Sequence, residues 1–161
     1  MATLQKITPC LWYDSDAEEA AKFYAGIFPN SKLGAISRYT EAGREFHGKE
    51  PGSVLTVEFT LNGQTFTALN GGPIFKFSEA ISFQVACDTQ AEVDHYWEKL
   101  AAGGEYSQCG WLKDKFGLSW QVVPSKMAQW MGDPKVAPKV MEAVFTMQKP
   151  DVAKLEAAAK G

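Results

Sequence analysis

Ile7-Thr8-Pro9-Cys10-Leu11-Trp12-Tyr13-Asp14-Ser15-Asp16-Ala17-Glu18 and Ile81-Ser82-Phe83-Gln84-Val85-Ala86-Cys87-Asp88-Thr89-Gln90-Ala91-Glu92 are two versions of one signal. Each is an apolar, strand-like run that ends in aspartate. Each then offers a hydroxyl residue and, three positions on, a glutamate: Ser15 with Glu18, Thr89 with Glu92. That spacing is a capping box, in which hydroxyl and carboxylate satisfy amides left open at a helix start. Phe23 and Trp97 lie at equal distances past these caps, so one offset relates strand end, cap and aromatic in both halves. A fixed offset of this kind marks an internal repeat.

The first predicted helix carries Ala17, Ala20, Ala21, Tyr24, Ile27 and Phe28 on one face and stops at Pro29, which has no amide to continue the ladder. The second carries Val93, Tyr96, Trp97 and Leu100 and stops at Gly103-Gly104. Between them, Leu55, Val57, Phe59 and Leu61 alternate with Thr56, Glu58 and Thr60, the pattern of a half-buried strand. Asn62-Gly63 supplies the two positive-φ positions of a type I′ hairpin turn. A two-residue loop pairs Leu61 with Gln64, Phe59 with Phe66, Val57 with Ala68 and Leu55 with Asn70, leaving Thr56, Glu58, Thr67 and Leu69 on the other face. In the second half, Asp114-Lys115-Phe116-Gly117 reads as a turn, after which Leu118, Trp120 and Val122 face one way and Ser119, Gln121 and Val123 the other.

Past Pro124 the repeat ends. Pro134, Pro138 and Pro150 punctuate three short amphipathic helices, the middle one striped by Val140, Met141, Val144 and Phe145. The loop 41–52, rich in charge and glycine, is the segment expected to be mobile. The fold class is therefore α+β. Two βαβββ modules, about 4–73 and 77–124, share one domain over 1–124 as a single body, and 125–161 form a C-terminal helical extension.

Composition removes several function classes. With 161 residues, 45% of them hydrophobic, the chain can bury a sizeable core. Sixteen basic and 19 acidic side chains leave a formal net charge of -3, with no cationic excess for a nucleic acid or an anionic membrane. The apolar runs are strand-sized, and Met1-Ala2-Thr3-Leu4-Gln5-Lys6 lacks the regions of a secretion signal, so a cytoplasmic location is expected. The three cysteines, Cys10, Cys87 and Cys109, form no CxxC pair and read as reduced thiols.

Strand, helix and three strands, done twice, resembles the plan of the vicinal-oxygen-chelate superfamily, which includes glyoxalases, bleomycin-resistance proteins and dioxygenases. The local strings Ile7 to Asp14, Ala20-Ala21-Lys22-Phe23-Tyr24, Leu69-Asn70-Gly71-Gly72-Pro73 and Cys109 to Gln121 resemble its PhnB-like branch, often labelled 3-demethylubiquinone-9 3-methyltransferase. The resemblance implies curved mixed sheets that cup a cavity, helices on their outer faces, and a homodimer that completes the pockets. Superfamily enzymes usually bind a divalent metal through His, Gln or Glu on the first and fifth strands and Glu on the eighth. Here those positions fall near Pro9, at Ser82 and at Gln121. With no imidazole among them, neither a metal nor another cofactor is expected. His47 lies in the 41–52 loop and His95 on the second helix. The methyltransferase label finds no glycine-rich strand-to-helix turn to support it.

If the helices cover the apolar sheet faces, Thr56, Glu58 and Thr67 turn toward the cup. Glu58 is then either a partly desolvated general base or a solvated carboxylate. Gln121 suits hydrogen bonding to a ligand or to backbone. Trp12, Trp111 and Trp120 offer aromatic walls, Trp111 the most readily. Asn70, in its glycine turn, is a rim or dimer contact, and Cys109 is a nucleophile or an inert thiol. The candidate pocket is thus Trp12, Thr56, Glu58, Thr67, Asn70, Ser82, Cys109, Trp111 and Gln121. The function expected is a metal-independent, homodimeric small-molecule binder or enzyme. Its rivals are a metal-dependent lyase or dioxygenase with unusual ligands, a drug-sequestering protein, and a methyltransferase.

Overall fold

A computed structural model describes residues 5–161, which form two units, one ending at Lys76 and one beginning at Phe77. The expected module start at residue 4 and the reading of Met1 to Leu4 lie outside the described residues. No helix of the described residues is long and apolar enough to cross a membrane.

The first unit runs β1 (Cys10–Tyr13), α1 (Ala17–Ala25), β2 (Lys32–Arg38), α2 (Arg44–His47), β3 (Val54–Leu61) and β4 (Gln64–Asn70). Its sheet has the order β1-β4-β3-β2, with β1 parallel to β4 and the other pairs antiparallel. The hairpin follows the turn chemistry. Asn62 and Gly63 take φ of 47° and 84°, and Leu61 pairs with Gln64, Phe59 with Phe66 and Val57 with Ala68. Val57, Phe59, Leu61, Phe66 and Ala68 are buried on the α1 side with Ala17, Ala20, Ala21 and Tyr24, while Glu58 on the opposite face is exposed.

Three local expectations need correction. Strand β1 begins at Cys10 rather than Ile7. Ile7 is 85% exposed, and the strand's first ladder bond beyond it is the Thr67 amide to the Pro9 carbonyl at 2.9 Å. The α1 cap is not Ser15. The helix starts after Asp16, whose side chain makes no capping bond, and the Ala17 amide donates instead to Asn70 Oδ1 at 2.8 Å. The helix also ends at Ala25, before Pro29. The Ile27 and Phe28 amides both bond the Tyr24 carbonyl, tightening the last turn. Asn70→Ala removes the cap and strands the Ala17 amide, so it is expected to cost about 1–2 kcal/mol in chemical denaturation. A loss below a few tenths would show that Asn70 does not hold the helix start.

The loop expected to be mobile contains a helical turn. Arg44 bridges Glu41 and Glu50, and the His47 ring lies 4.7 Å from that of Tyr39. The ion pairs are exposed and contribute little.

The second unit repeats the plan: β5 (Ser82–Cys87), α3 (Gln90–Ala101), β6 (Glu105–Tyr106), β7 (Trp111–Lys113) and β8 (Ser119–Pro124), with sheet order β5-β8-β7-β6 and β5 parallel to β8. Here the capping box forms. Thr89 accepts from the Glu92 amide, and Glu92 Oε2 accepts from the Asp88 amide at 2.7 Å. Val93, Trp97 and Leu100 of α3 pack with Leu112, Trp120 and Val122 in the buried layer. The predicted turn closes through the Gly117 amide to the Asp114 carbonyl at 3.0 Å, with Gly117 at φ 88°.

Helices α4 (Met127–Met131), α5 (Ala137–Phe145) and α6 (Val152–Lys160) follow and close on their own small core of Trp130, Val140 and Leu155. The α5 stripe is narrower than its spacing implies. Val140 is buried and Val144 packs against that core, but Met141 is 43% and Phe145 64% exposed. Two short helices, α4 and α6, cover only one flank of α5.

Candidate functional site

Within each unit, the residues expected in one pocket do not all share a face. In the first unit, Cys10, Trp12, Thr56, Glu58, Thr67 and Leu69 share the sheet face turned away from α1, as the register requires. Thr56 is hydrogen-bonded to Ser37 Oγ. Trp12 donates its indole N–H to the Gly72 carbonyl at 2.9 Å and meets Phe75 edge-on at 4.9 Å. Gly71 is required there, since a Cβ would sit 2.1 Å from the Trp12 ring. Glu58 is exposed on this face. Asn70 is on the opposite, helix-facing side. Its Oδ1 caps α1 and its Nδ2 donates to the Val54 carbonyl at 3.2 Å, a structural role that leaves it no part in the cup.

The second unit does bring predicted residues together. Gln121 Nε2 donates to Ser82 Oγ at 2.8 Å, and Trp111 is the cross-strand partner of Gln121. Ser119 and Lys113 pair one step along the same face. These strands border a cavity of about 400 Å³ lined by Glu79, Glu105, Ser107, Trp111, Lys113 and Ser119 among others. Ser119 is only 1% exposed, and its Oγ has no hydrogen-bond partner among the described residues. A buried hydroxyl without a partner is costly, and its cost is recovered when a ligand supplies one. Lys113 Nζ forms an ion pair with Glu79, which holds the Glu79 carboxyl below and the Lys113 ammonium above their ordinary values.

Cys109 stands apart from this cavity. It takes φ 60° beside Gly110 at φ 84°, the two amides bonding the Met147 and Gln148 carbonyls, against Val122, Met147 and Pro150. That turn ties β7 to the C-terminal helices. Trp120, the third aromatic considered, packs on the helix side and gives its indole N–H to Asp114 Oδ2 at 2.9 Å.

Of the residues missed, Ser119 and Lys113 were legible by alternation with Gln121 and Trp111. Glu79 and Glu105 carry no local signal, because their place depends on a two-residue strand and on the segment before β5.

The donor set does not fit the metal that the fold's enzymes use. Ser82 and Gln121 are bonded to each other, and among the described residues no three of His, Cys, Asp or Glu gather to hold an ion. His47 is engaged with Tyr39 and the Lys49 amide, and His95 is exposed on α3.

The pattern of the family described as 3-demethylubiquinone-9 3-methyltransferase matches residues 5–123. The chain belongs to this family. The PhnB protein from Bacillus cereus, which carries the same methyltransferase label, is 38% identical, with 74% of this chain and 99% of that one covered at a TM-score of 0.66. Protein PA1353 from Pseudomonas aeruginosa is 20% identical (76% and 98% covered, TM-score 0.59), and the fosfomycin resistance protein FosX from Mesorhizobium loti is 14% identical (82% and 100%, TM-score 0.55). The last two show the fold alone. Among curated proteins none matches. The family match stops before α4, so the three C-terminal helices lie beyond it.

Cys87, at the end of β5, is buried, and desolvation, with Glu92 and Asp88 nearby, pushes its thiol up to about 12. The thiolate is the nucleophile, so native protein at pH 8 is expected to leave Cys87 unmodified by iodoacetamide while exposed Cys10 reacts. Peptide mass mapping checks this; prompt alkylation of Cys87 would contradict the packing of β5 under α3.

Proposed function

We propose that this protein is a metal-independent, homodimeric binder of a small organic molecule, or an enzyme acting on one, with its site in the β7–β8 cavity. One observation carries the reading: a cavity of about 400 Å³ that holds a half-buried indole, Trp111, and a buried, unpartnered hydroxyl, Ser119 Oγ. Cavities of this size suit small ligands, with apolar walls for affinity and a few polar atoms for orientation. The mutual hydrogen bond of Gln121 and Ser82 supports a site that works without a metal. The exposed Ile74, Phe75 and Ile81 support a dimer, which buries such side chains. Free Cys10, Cys87 and Cys109 suit a reducing, cytoplasmic setting.

The test is metal content by mass spectrometry after exhaustive dialysis, with melting curves over manganese, nickel and zinc. The expected result is no stoichiometric metal and no shift with any ion, while organic fragments raise the melting point by occupancy. One metal per chain would overturn the metal-independent reading. S-adenosylmethionine is expected to leave the melting point unchanged; saturable binding would favour the methyltransferase of the family's description instead.

A further inference from the structure

The polar atoms around this cavity include a hydroxyl able to accept a hydrogen bond. Ser119 Oγ has no partner. Gln121 gives one amide hydrogen to Ser82 Oγ and lies beside Trp111 across the β7–β8 ladder. The charged lining is Glu79, Glu105 and Lys113, a net of one negative charge. Lys113 is bonded to the Glu79 carboxylate, while Glu105, its partner across the β6–β7 ladder, also acts on it by charge. The single ammonium is thus already matched, and one carboxylate is in excess. Trp111 lies on the same face as Lys113, half-buried, and no ring of the described residues is stacked on its indole. A surplus carboxylate, an accepting hydroxyl and a free indole face together favour a donor-rich positive ligand, attracted both by charge and by the ring quadrupole.

Building on the binding reading above, we propose that the β7–β8 cavity recognises an organic cation, specifically a flat aromatic ring bearing a protonated amine. The ring lies against Trp111. The ammonium is met by Glu105, and its remaining hydrogens are accepted by Ser119 Oγ or the Gln121 carbonyl. An anionic ligand would have to displace Glu79 from Lys113 and would meet the carboxylate of Glu105.

Isothermal titration at low ionic strength with three probes of one shape separates the possibilities: tryptamine, 3-methylindole and indole-3-acetate. Tryptamine is expected to bind at least about tenfold more tightly than indole-3-acetate, with 3-methylindole between them, and to weaken as salt is added. Glu105→Gln should bring tryptamine to the level of 3-methylindole, with its melting curve confirming the fold. Tryptamine binding should also weaken in Ser119→Ala. Equal or tighter binding of indole-3-acetate would overturn the cation proposal and leave the cavity as a site read through Lys113. Heat from none of the three would remove the proposal and count against the binding reading itself.

Discussion

Asp114→Ala is expected to lower the unfolding free energy by roughly 3–5 kcal/mol, the sum of several stranded donors in a buried place. Asp114 is 3% exposed. Its Oδ1 accepts the Phe116 and Leu118 amides at 2.8 and 3.1 Å, and its Oδ2 accepts the Trp120 indole N–H at 2.9 Å. One carboxylate therefore shapes the β7–β8 turn and orients a tryptophan of the buried layer. The alanine variant strands three donors, two of them buried and the Phe116 amide partly so. Asp114→Asn keeps an acceptor for the turn but sets an amide N–H₂ against the indole N–H, so it should cost less, about 1–3 kcal/mol. Urea denaturation measures both. A cost under about 1 kcal/mol for the alanine variant would mean that the turn is held by its glycine alone.

Phe59→Ala is the second large effect, at about 3–5 kcal/mol, the loss of a buried aromatic plus the cavity it leaves. Phe59 is fully buried between α1 and the sheet, with the Phe66 ring stacked at 5.3 Å and the Tyr24 ring at 6.1 Å. It lies in the first unit, far along the chain from the cavity strands. If the ligand site belongs to β7 and β8, the variant's folded fraction should bind ligand with unchanged affinity per folded molecule. A matched loss of affinity and stability would tie binding to the first unit's sheet.

The elements that the sequence makes legible are those fixed by neighbours in the chain. The hairpin register follows from Asn62-Gly63, because a two-residue turn leaves one way to pair the strands. The α3 start follows from Thr89 and Glu92 for the same reason. The α1 start does not, because the competing cap, Asn70, is 53 residues away and reaches Ala17 only once β4 lies beside β1. Asn70 lies on the core side by strand parity, in phase with Phe66 and Ala68, and that bond uses it there. Alternation placed Ser119 and Gln121 on one face, and Trp111 and Ser82 joined them through the β7–β8 and β5–β8 pairings. The acidic members of the cavity could not be read in this way. Glu105 stands on a strand of two residues, too short for a period, and Glu79 on an irregular segment. Burial decided Glu58: parity put it on the outer face, and only the structure shows that this face leaves it in solvent.

The most direct test of a metal-free ligand site on β7–β8 is to map fragment binding by amide and indole chemical-shift changes, in protein stripped of metal and kept in chelator. The account predicts that shifts cluster at Trp111, Lys113, Ser119 and Gln121, with the Trp111 indole signal moving most. Shifts centred on Trp12, Thr56 and Glu58, or binding that appears only when a divalent metal is restored, would contradict it.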